Sequence, residues 1–259
     1  MKYYIGNKNY LEKISVEKEK SKGSIMDQFS RTEMLIGKEN LQKLKESRIA
    51  IFGIGGVGSY VAEGLARCGI GNFVLVDNDK VSETNINRQI IATTKTIDKY
   101  KVDLMKQRIL DINPKAKVET YKIFYVPGCE EQILDNSINY IIDAIDTVTS
   151  KIYLVEQAEK LNIPIISSMG TGNKLDPTKF EITDVYKTSV CPLAKVMRKE
   201  LKARNIKQLK VLYSKEETIK SKQDVEEHIN KKHIPGSISF VPSVAGLIIS
   251  GEVVKDLIK

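Results

Sequence analysis

Residues 48–59, RIAIFGIGGVGS, run an apolar segment straight into the glycines Gly53, Gly55, Gly56 and Gly58. The apolar half, RIAIFG, suits a parallel strand covered on both faces. The glycines permit positive φ and let backbone N–H groups approach a phosphate with no Cβ in the way. The helix that follows adds its positive N-terminal end. By itself the pattern fits NAD, FAD and ATP alike. Asp77, at the end of the next apolar run, also obeys the rule for an acid that binds ribose hydroxyls.

Downstream, strand and helix patterns alternate. A helix over Val57 to Cys68 is capped by Gly69, and FVLVD is a second strand ending on Asp77. KVDLMKQRILDIN is helical up to Pro114, KVETYKIF is a third strand and INYIIDAID a fourth. SKIYLVEQAEKLN is a helix ended before Pro164, PIISSMG is a fifth strand, and FEITDV is one more. Repeated strand–helix units imply an α/β fold, a doubly wound and mostly parallel sheet of Rossmann-like topology, with ligands at the carboxyl ends of the strands.

Ahead of this unit, residues 1–27 read as a polar, lysine-rich extension. Ser30 and Glu33 form an S-x-x-E capping box, which starts a short helix ended by Gly37. Arg31 then lies in the first turn, where a cation faces the positive end of the dipole and either reaches for an anion or is solvated. Residues 28–185 form the nucleotide-binding unit. Residues 186–259 are a basic, helix-prone, otherwise irregular segment, followed by a buried amphipathic C-terminal helix from SFVPSVAGLIISGEVVKDLIK.

The 41 Lys and Arg against 33 Asp and Glu leave a net charge of +8, which is either a lysine-rich surface or a fit to a polyanion such as RNA. Cys68, Cys129 and Cys191 are scattered without a C-x-x-C pair, which argues against a disulfide framework or structural zinc. With no signal peptide and no run long enough to span a membrane, the expected compartment is the cytoplasm.

The stretch VDNDKVSETNINRQ shifts the balance from NAD toward ATP. It puts Asp77, Asp79, Asn85 and Arg88 on one loop, with Lys101 following. A hydride-transfer enzyme has no use for such a cationic cluster beyond its cofactor. Cleavage between the α- and β-phosphates of ATP does, because charge moves onto the α-phosphate and the departing pyrophosphate. Asp146, in IIDAIDT, is then placed to carry Mg²⁺.

Together, GIGGVGS, VDNDKVSETNINRQ, DKYKVD and IDAIDT resemble the adenylating enzymes related to ubiquitin-activating enzyme, the ThiF/MoeB superfamily, over roughly residues 28–185. The resemblance implies that Asp77 binds the ATP ribose, that Asn85, Arg88 and Lys101 grip the triphosphate, and that Asp146 carries Mg²⁺. It matches Arg31 to an arginine that reaches into a partner subunit's ATP site, which implies a homodimer. The second half, from GTGNKLDPTKFEITDVYKTSVCPLAKVMRKELKARNI to the C-terminal helix, resembles the tRNA threonylcarbamoyladenosine dehydratase branch. That branch implies adenylation of the threonylcarbamoyladenosine carboxylate beside the anticodon, then ring closure with loss of AMP.

On that reading Lys195, Arg198, Lys199, Lys202, Arg204, Lys207 and Lys210 suit tRNA phosphates. Cys191 lies where related enzymes carry a thioester cysteine, but the branch often has aspartate there. Cys68 reads as core and Cys129 as incidental. His228 and His233, five apart, do not make a same-face metal pair. The alternatives are adenylation of a ubiquitin-like sulfur-carrier protein, against which the absent C-x-x-C motif counts, and an NAD-binding oxidoreductase or non-catalytic module.

Overall fold

The structure, a computed structural model, describes residues 26–129, 133–219 and 235–259. The N-terminal extension up to residue 25, His228 and His233 lie outside these residues.

Among the described residues, seven strands form one sheet: β1 (Arg48–Phe52), β2 (Asn72–Val76), β3 (Lys117–Tyr121), β4 (Tyr140–Asp143), β5 (Ile165–Ser168), β6 (Phe180–Asp184) and β7 (Lys210–Ser214). The order is β3-β2-β1-β4-β5-β7-β6. Every pairing is parallel except β6 with β7. The chain therefore leaves β1 toward β2 on one side and returns to β4 on the other. That reversal is the switch point at which doubly wound sheets open a crevice.

Side chains along β1 alternate between two apolar cores. Ile49 and Ile51 face α3 (Gly58–Cys68), α4 (Lys101–Ile112) and α7 (Phe240–Leu257) through Leu65, Met105 and Ile249. Ala50 and Phe52 face α5 (Val148–Lys160) through Leu154 and Ala158. All four strand residues are fully buried, and each large one contributes about 1.5–3 kcal/mol of transfer free energy. This is why the strand lacks polar alternation. A third cluster joins α5, α6 (Pro192–Ala203) and β7 through Ile152, Met197 and Tyr213.

Two local expectations are corrected. The capping box at Ser30 does not form. Asp27 lies close enough to engage the serine hydroxyl, which accepts from the Asp27 amide at 2.8 Å and donates to its Oδ1 at 3.1 Å. Phe29 becomes the cap of α1 (Ser30–Ile36), and Gly37, at φ +81°, ends α1 and opens α2 (Lys38–Glu46). The segment from residue 186 is also less irregular than its composition suggests. It contains α6 and then β7, which inserts between β5 and β6. The apolar Val211, Leu212 and Tyr213 are all buried, so core packing overrides the basic flanks.

Candidate active site

A cavity of about 510 Å³ opens at the carboxyl ends of β1, β2, β4 and β5. Gly53, Gly55, Gly56, Asp77, Asp79, Asn85, Arg88, Lys101 and Asp146 all line it. Gly58 and Arg31 do not.

The four glycines divide by role. Gly53 has φ +88°, and a Cβ on it would stand 2.6 Å from the Ala144 carbonyl oxygen. A Cβ on Gly58 would stand 1.8 Å from the Gly53 carbonyl oxygen. These two let the turn pack against itself and against the loop after β4. Gly55 instead faces open space, with only the Gln89 amide within 4 Å of a hypothetical Cβ, at 3.9 Å. The turn leads into α3, where the Ser59, Tyr60 and Val61 amides donate back to the Gly55 and Val57 carbonyls at 3.0–3.1 Å, and the helix directs the positive end of its dipole at the turn.

Asp77 anchors this turn. Its carboxylate accepts from the Ile54 amide at 2.6 Å and from the Asp79 amide at 2.8 Å. Burial pushes the Asp77 carboxyl above the usual value, against the pull of Lys101 and of these amides. Lys101, at the first position of α4, is buried and donates to Asp79 Oδ2 at 2.7 Å. A cation there opposes the helix dipole, and Asp79 offsets it. Asn85 is buried and accepts from the Ser82 amide at 3.1 Å. Arg88 is held at its guanidinium, one Nη donating to the Thr84 carbonyl at 2.8 Å and to Asn87 Oδ1 at 2.9 Å.

Asp146 stands beyond the strand that was expected to end on it: β4 stops at Asp143. Asp146 is exposed at the cavity rim and accepts from Thr147 Oγ1 at 3.3 Å. The opposite wall is Met169, Gly170, Thr171 and Gly172 with Leu193 and Gly236. Asn173 clasps Gly236 twice, donating to its carbonyl at 2.8 Å and accepting from its amide at 2.6 Å.

A family model described as "ThiF family" matches residues 29–259. The chain belongs to the ThiF family. It is 48% identical over 244 residues to the tRNA threonylcarbamoyladenosine dehydratase of Bacillus subtilis, covering 91% of this chain and 96% of that one. Crystal structures of E. coli tRNA N6-threonylcarbamoyladenosine dehydratase in complex with AMP and with ATP superpose with TM-scores of 0.82 and 0.80. Both share 32% identity and cover 89% of this chain and 93% of the other. An adenylyltransferase and sulfurtransferase of Vanderwaltozyma polyspora is 32% identical over only 53% of this chain and 31% of its own.

Sequence reasoning missed several site features of this ThiF-family chain. Among the described residues, Gln89 Oε1 and Ser150 Oγ are buried without a hydrogen-bond partner, and both residues line the cavity. Buried polar atoms are normally satisfied, so the Ser150 hydroxyl, together with side-chain-free Gly55, fits an acceptor-rich ligand such as a nucleoside triphosphate, and Gln89 Oε1 calls for a donor such as a hydroxyl or a bound water. No cluster of three metal-ligating side chains occurs among the described residues. The lone carboxylate of Asp146 fits Mg²⁺, which keeps waters and takes phosphate oxygens.

Also unforeseen is a fully buried ion pair beneath the site. Lys151 Nζ lies 2.9 Å from Asp143 Oδ2 and donates to the carbonyls of Ile145 at 3.1 Å and Ser168 at 2.9 Å. Ser167 Oγ donates to Asp143 Oδ2 at 2.6 Å. Cys191 is buried among Met169, Val185 and Met197 and is absent from the cavity lining.

The basic segment from α6 to β7 is thinned by pairing. Arg198 donates to the Thr188 carbonyl at 3.1 Å, Arg204 pairs with Glu156 and Glu200, and Lys210 pairs with Glu252 and Asp256. Lys195, Lys199, Lys202 and Lys207 remain exposed, on α6 and just beyond it.

Proposed function

We propose that the protein uses ATP to cyclise N6-threonylcarbamoyladenosine in tRNA through an acyl-adenylate, a net dehydration. The observation that carries this reading is the convergence of Asp77, Asn85, Arg88, Lys101 and Asp146 on one cavity. Similarity across nearly the whole length of named dehydratases supports the choice of acceptor. The shorter match to a sulfurtransferase gives the carrier-protein alternative less support.

On this reading Asp77 holds the ribose hydroxyls while the Gly55–Gly56 turn and the start of α3 take the phosphates. Asn85, Arg88 and Lys101 stabilise charge that moves onto the α-phosphate and the leaving pyrophosphate. Asp79 aims Lys101 through its contact at 2.7 Å. Mg²⁺, when bound at Asp146, neutralises phosphate oxygens. A carboxylate is a poor electrophile until its oxygen bonds the α-phosphate of ATP with loss of pyrophosphate, which makes AMP the leaving group for ring closure. Once it is activated, the internal nucleophile closes the ring without a bimolecular encounter. The wall from Met169 to Gly172 faces the acceptor.

A homodimer in a reducing cytoplasm completes the proposal. Met34 and Leu35 on α1 are 72% and 88% exposed beside Arg31, which favours burial against a second copy whose site Arg31 would enter. Lys195, Lys199, Lys202 and Lys207 offer a phosphate-facing surface that begins at the cavity, where Leu193 of α6 lines the wall. The test supplies ATP, Mg²⁺ and either threonylcarbamoylated tRNA or a sulfur-carrier protein. AMP and pyrophosphate should form only with the tRNA, whose modified nucleoside loses the mass of one water. Turnover with the carrier and none with the tRNA would overturn the reading.

A further inference from the structure

Lys151 is an unusual residue to find with no exposed surface, and its three ammonium protons each have an acceptor within reach. Those acceptors are Asp143 Oδ2 and the carbonyls of Ile145 and Ser168. The two carbonyls belong to different elements. Ile145 lies in the loop after β4 and immediately precedes Asp146. Ser168 ends β5 and immediately precedes Met169 and Gly170. Ile145, Asp146, Ser168, Met169 and Gly170 all line the cavity.

Asp143 completes the arrangement. It pairs in register with Ser167 on the neighbouring strand, and its two oxygens accept from Ser167 Oγ at 2.6 Å and from the Ile145 amide at 3.1 Å. A buried ion pair of this kind contributes little net stability compared with apolar residues of the same shape. Its geometry, by contrast, joins the two walls of one cavity. We propose that Lys151 is a positioning residue. Through its two carbonyl contacts it sets the place of the Asp146 carboxylate, and so the Mg²⁺ response of nucleotide binding, relative to the acceptor wall after β5. This rests on the reading of Asp146 as the Mg²⁺-binding carboxylate.

The experiment separates the tether from the charge. Asp143→Asn alone leaves Lys151 with both carbonyl partners. Asp143→Asn combined with Lys151→Met removes the tether and leaves no unpaired charge. ATP affinity is measured by calorimetry with Mg²⁺ and with EDTA, together with the thermal midpoint of each variant.

The single variant should keep the gain in ATP affinity that Mg²⁺ gives. The double variant should lose about 10-fold or more of that gain, the usual scale for groups that orient a metal's ligand. Its affinity in EDTA should stay within about 2-fold of the single variant's, because the tether acts through the metal's carboxylate and not on the phosphate turn. A double variant with an intact Mg²⁺ gain overturns the proposal, as does one that loses affinity equally in EDTA.

Asp146→Asn is the control for the underlying reading. If it leaves the Mg²⁺ gain intact, that reading falls and takes this proposal with it. If it abolishes the gain while the double variant keeps it, only the role of Lys151 falls. Should the double variant not fold, Asp143→Asn with Lys151→Gln replaces it. Its shorter amide stem should cost part of the Mg²⁺ gain, and an unchanged gain overturns the proposal.

Discussion

Lys101 Nζ donates to Asp79 Oδ2 at 2.7 Å, the lysine buried and the aspartate largely open to solvent. The pair stations a cation at the cavity without a nucleotide to hold it there. Lys101→Ala should lower AMP and pyrophosphate formation by about 10²–10³-fold, the scale for losing one preorganised charge donor. Asp79→Asn should cost less, since the lysine stays present but loses its aim. Pyrophosphate release measured on both variants tests the ranking, and equal rates for Lys101→Ala and the parent would remove the lysine from the chemistry.

The glycine turn gives a two-way test. Gly58→Ala places a Cβ against the Gly53 carbonyl oxygen, so it should destabilise the fold by about 3 kcal/mol or more. Gly55→Ala meets nothing closer than 3.9 Å and should keep the parental melting temperature. Its methyl group projects where phosphate would pass, so ATP affinity should fall while stability does not. Thermal melts paired with nucleotide titrations distinguish the two.

Burial raises the Asp77 carboxyl above its ordinary value, so its ionised form is disfavoured in the folded protein. The sign follows from proton binding. Between the unfolded and folded values the native state holds more protons, and stability contributed by this group falls as pH rises through that window. Asp77→Asn should therefore gain stability relative to the parent on going from below about pH 4 to neutrality. It should also bind ATP more weakly at neutral pH. Denaturant melts across that range check the slope.

Asp256 gives the opposite slope. Although burial opposes it, contacts with Lys210, Lys259 and the Tyr140 hydroxyl hold its carboxyl at about 2. The stability from this acid is present above the unfolded carboxylate value and is lost as pH falls toward about 2. Asp256→Asn should flatten the acid limb of the stability profile and cost about 1–2 kcal/mol at neutral pH. An acid limb identical to the parent's would remove the group from that role.

For the RNA surface, Lys199→Glu with Lys202→Glu should weaken tRNA binding and shallow its dependence on log salt by about one unit per lysine. Lys210→Gln should leave that slope unchanged, because Lys210 is committed to Glu252 and Asp256. Filter binding across a salt series measures both.

What was legible in the sequence was the local pattern. The apolar runs of β1, β2, β4 and β5 carry their own period, and the glycines and Asp77 follow a fixed spacing from a strand end. Asp79, Asn85, Arg88 and Lys101 sit on one loop and the helix after it, so their convergence needed only the topology. Other features depended on partners distant in the chain. Lys151 reads as one more charged residue of a helix until β5 and the loop after β4 close over it. Val211 to Tyr213 read as part of a basic stretch until the core claims them. The proposed cap at Ser30 failed for the reverse reason, because Asp27, three residues before it, took its hydroxyl.

The position of β7 bears on how the molecule is made. β6 emerges from the ribosome before β7, yet its sheet partner is β7, and β7 is also the strand that covers the outer edge of β5. Until residue 214 has been synthesised, β5 exposes an open edge and β6 has nowhere to dock. Such edges invite pairing with other chains. The acceptor wall grows directly from β5, so this half of the cavity stays unsecured until β7 is made. A ribosome stalled between β6 and β7 would hold an unfinished sheet and a glycine turn that still lacks Pro242 of α7 against Gly56.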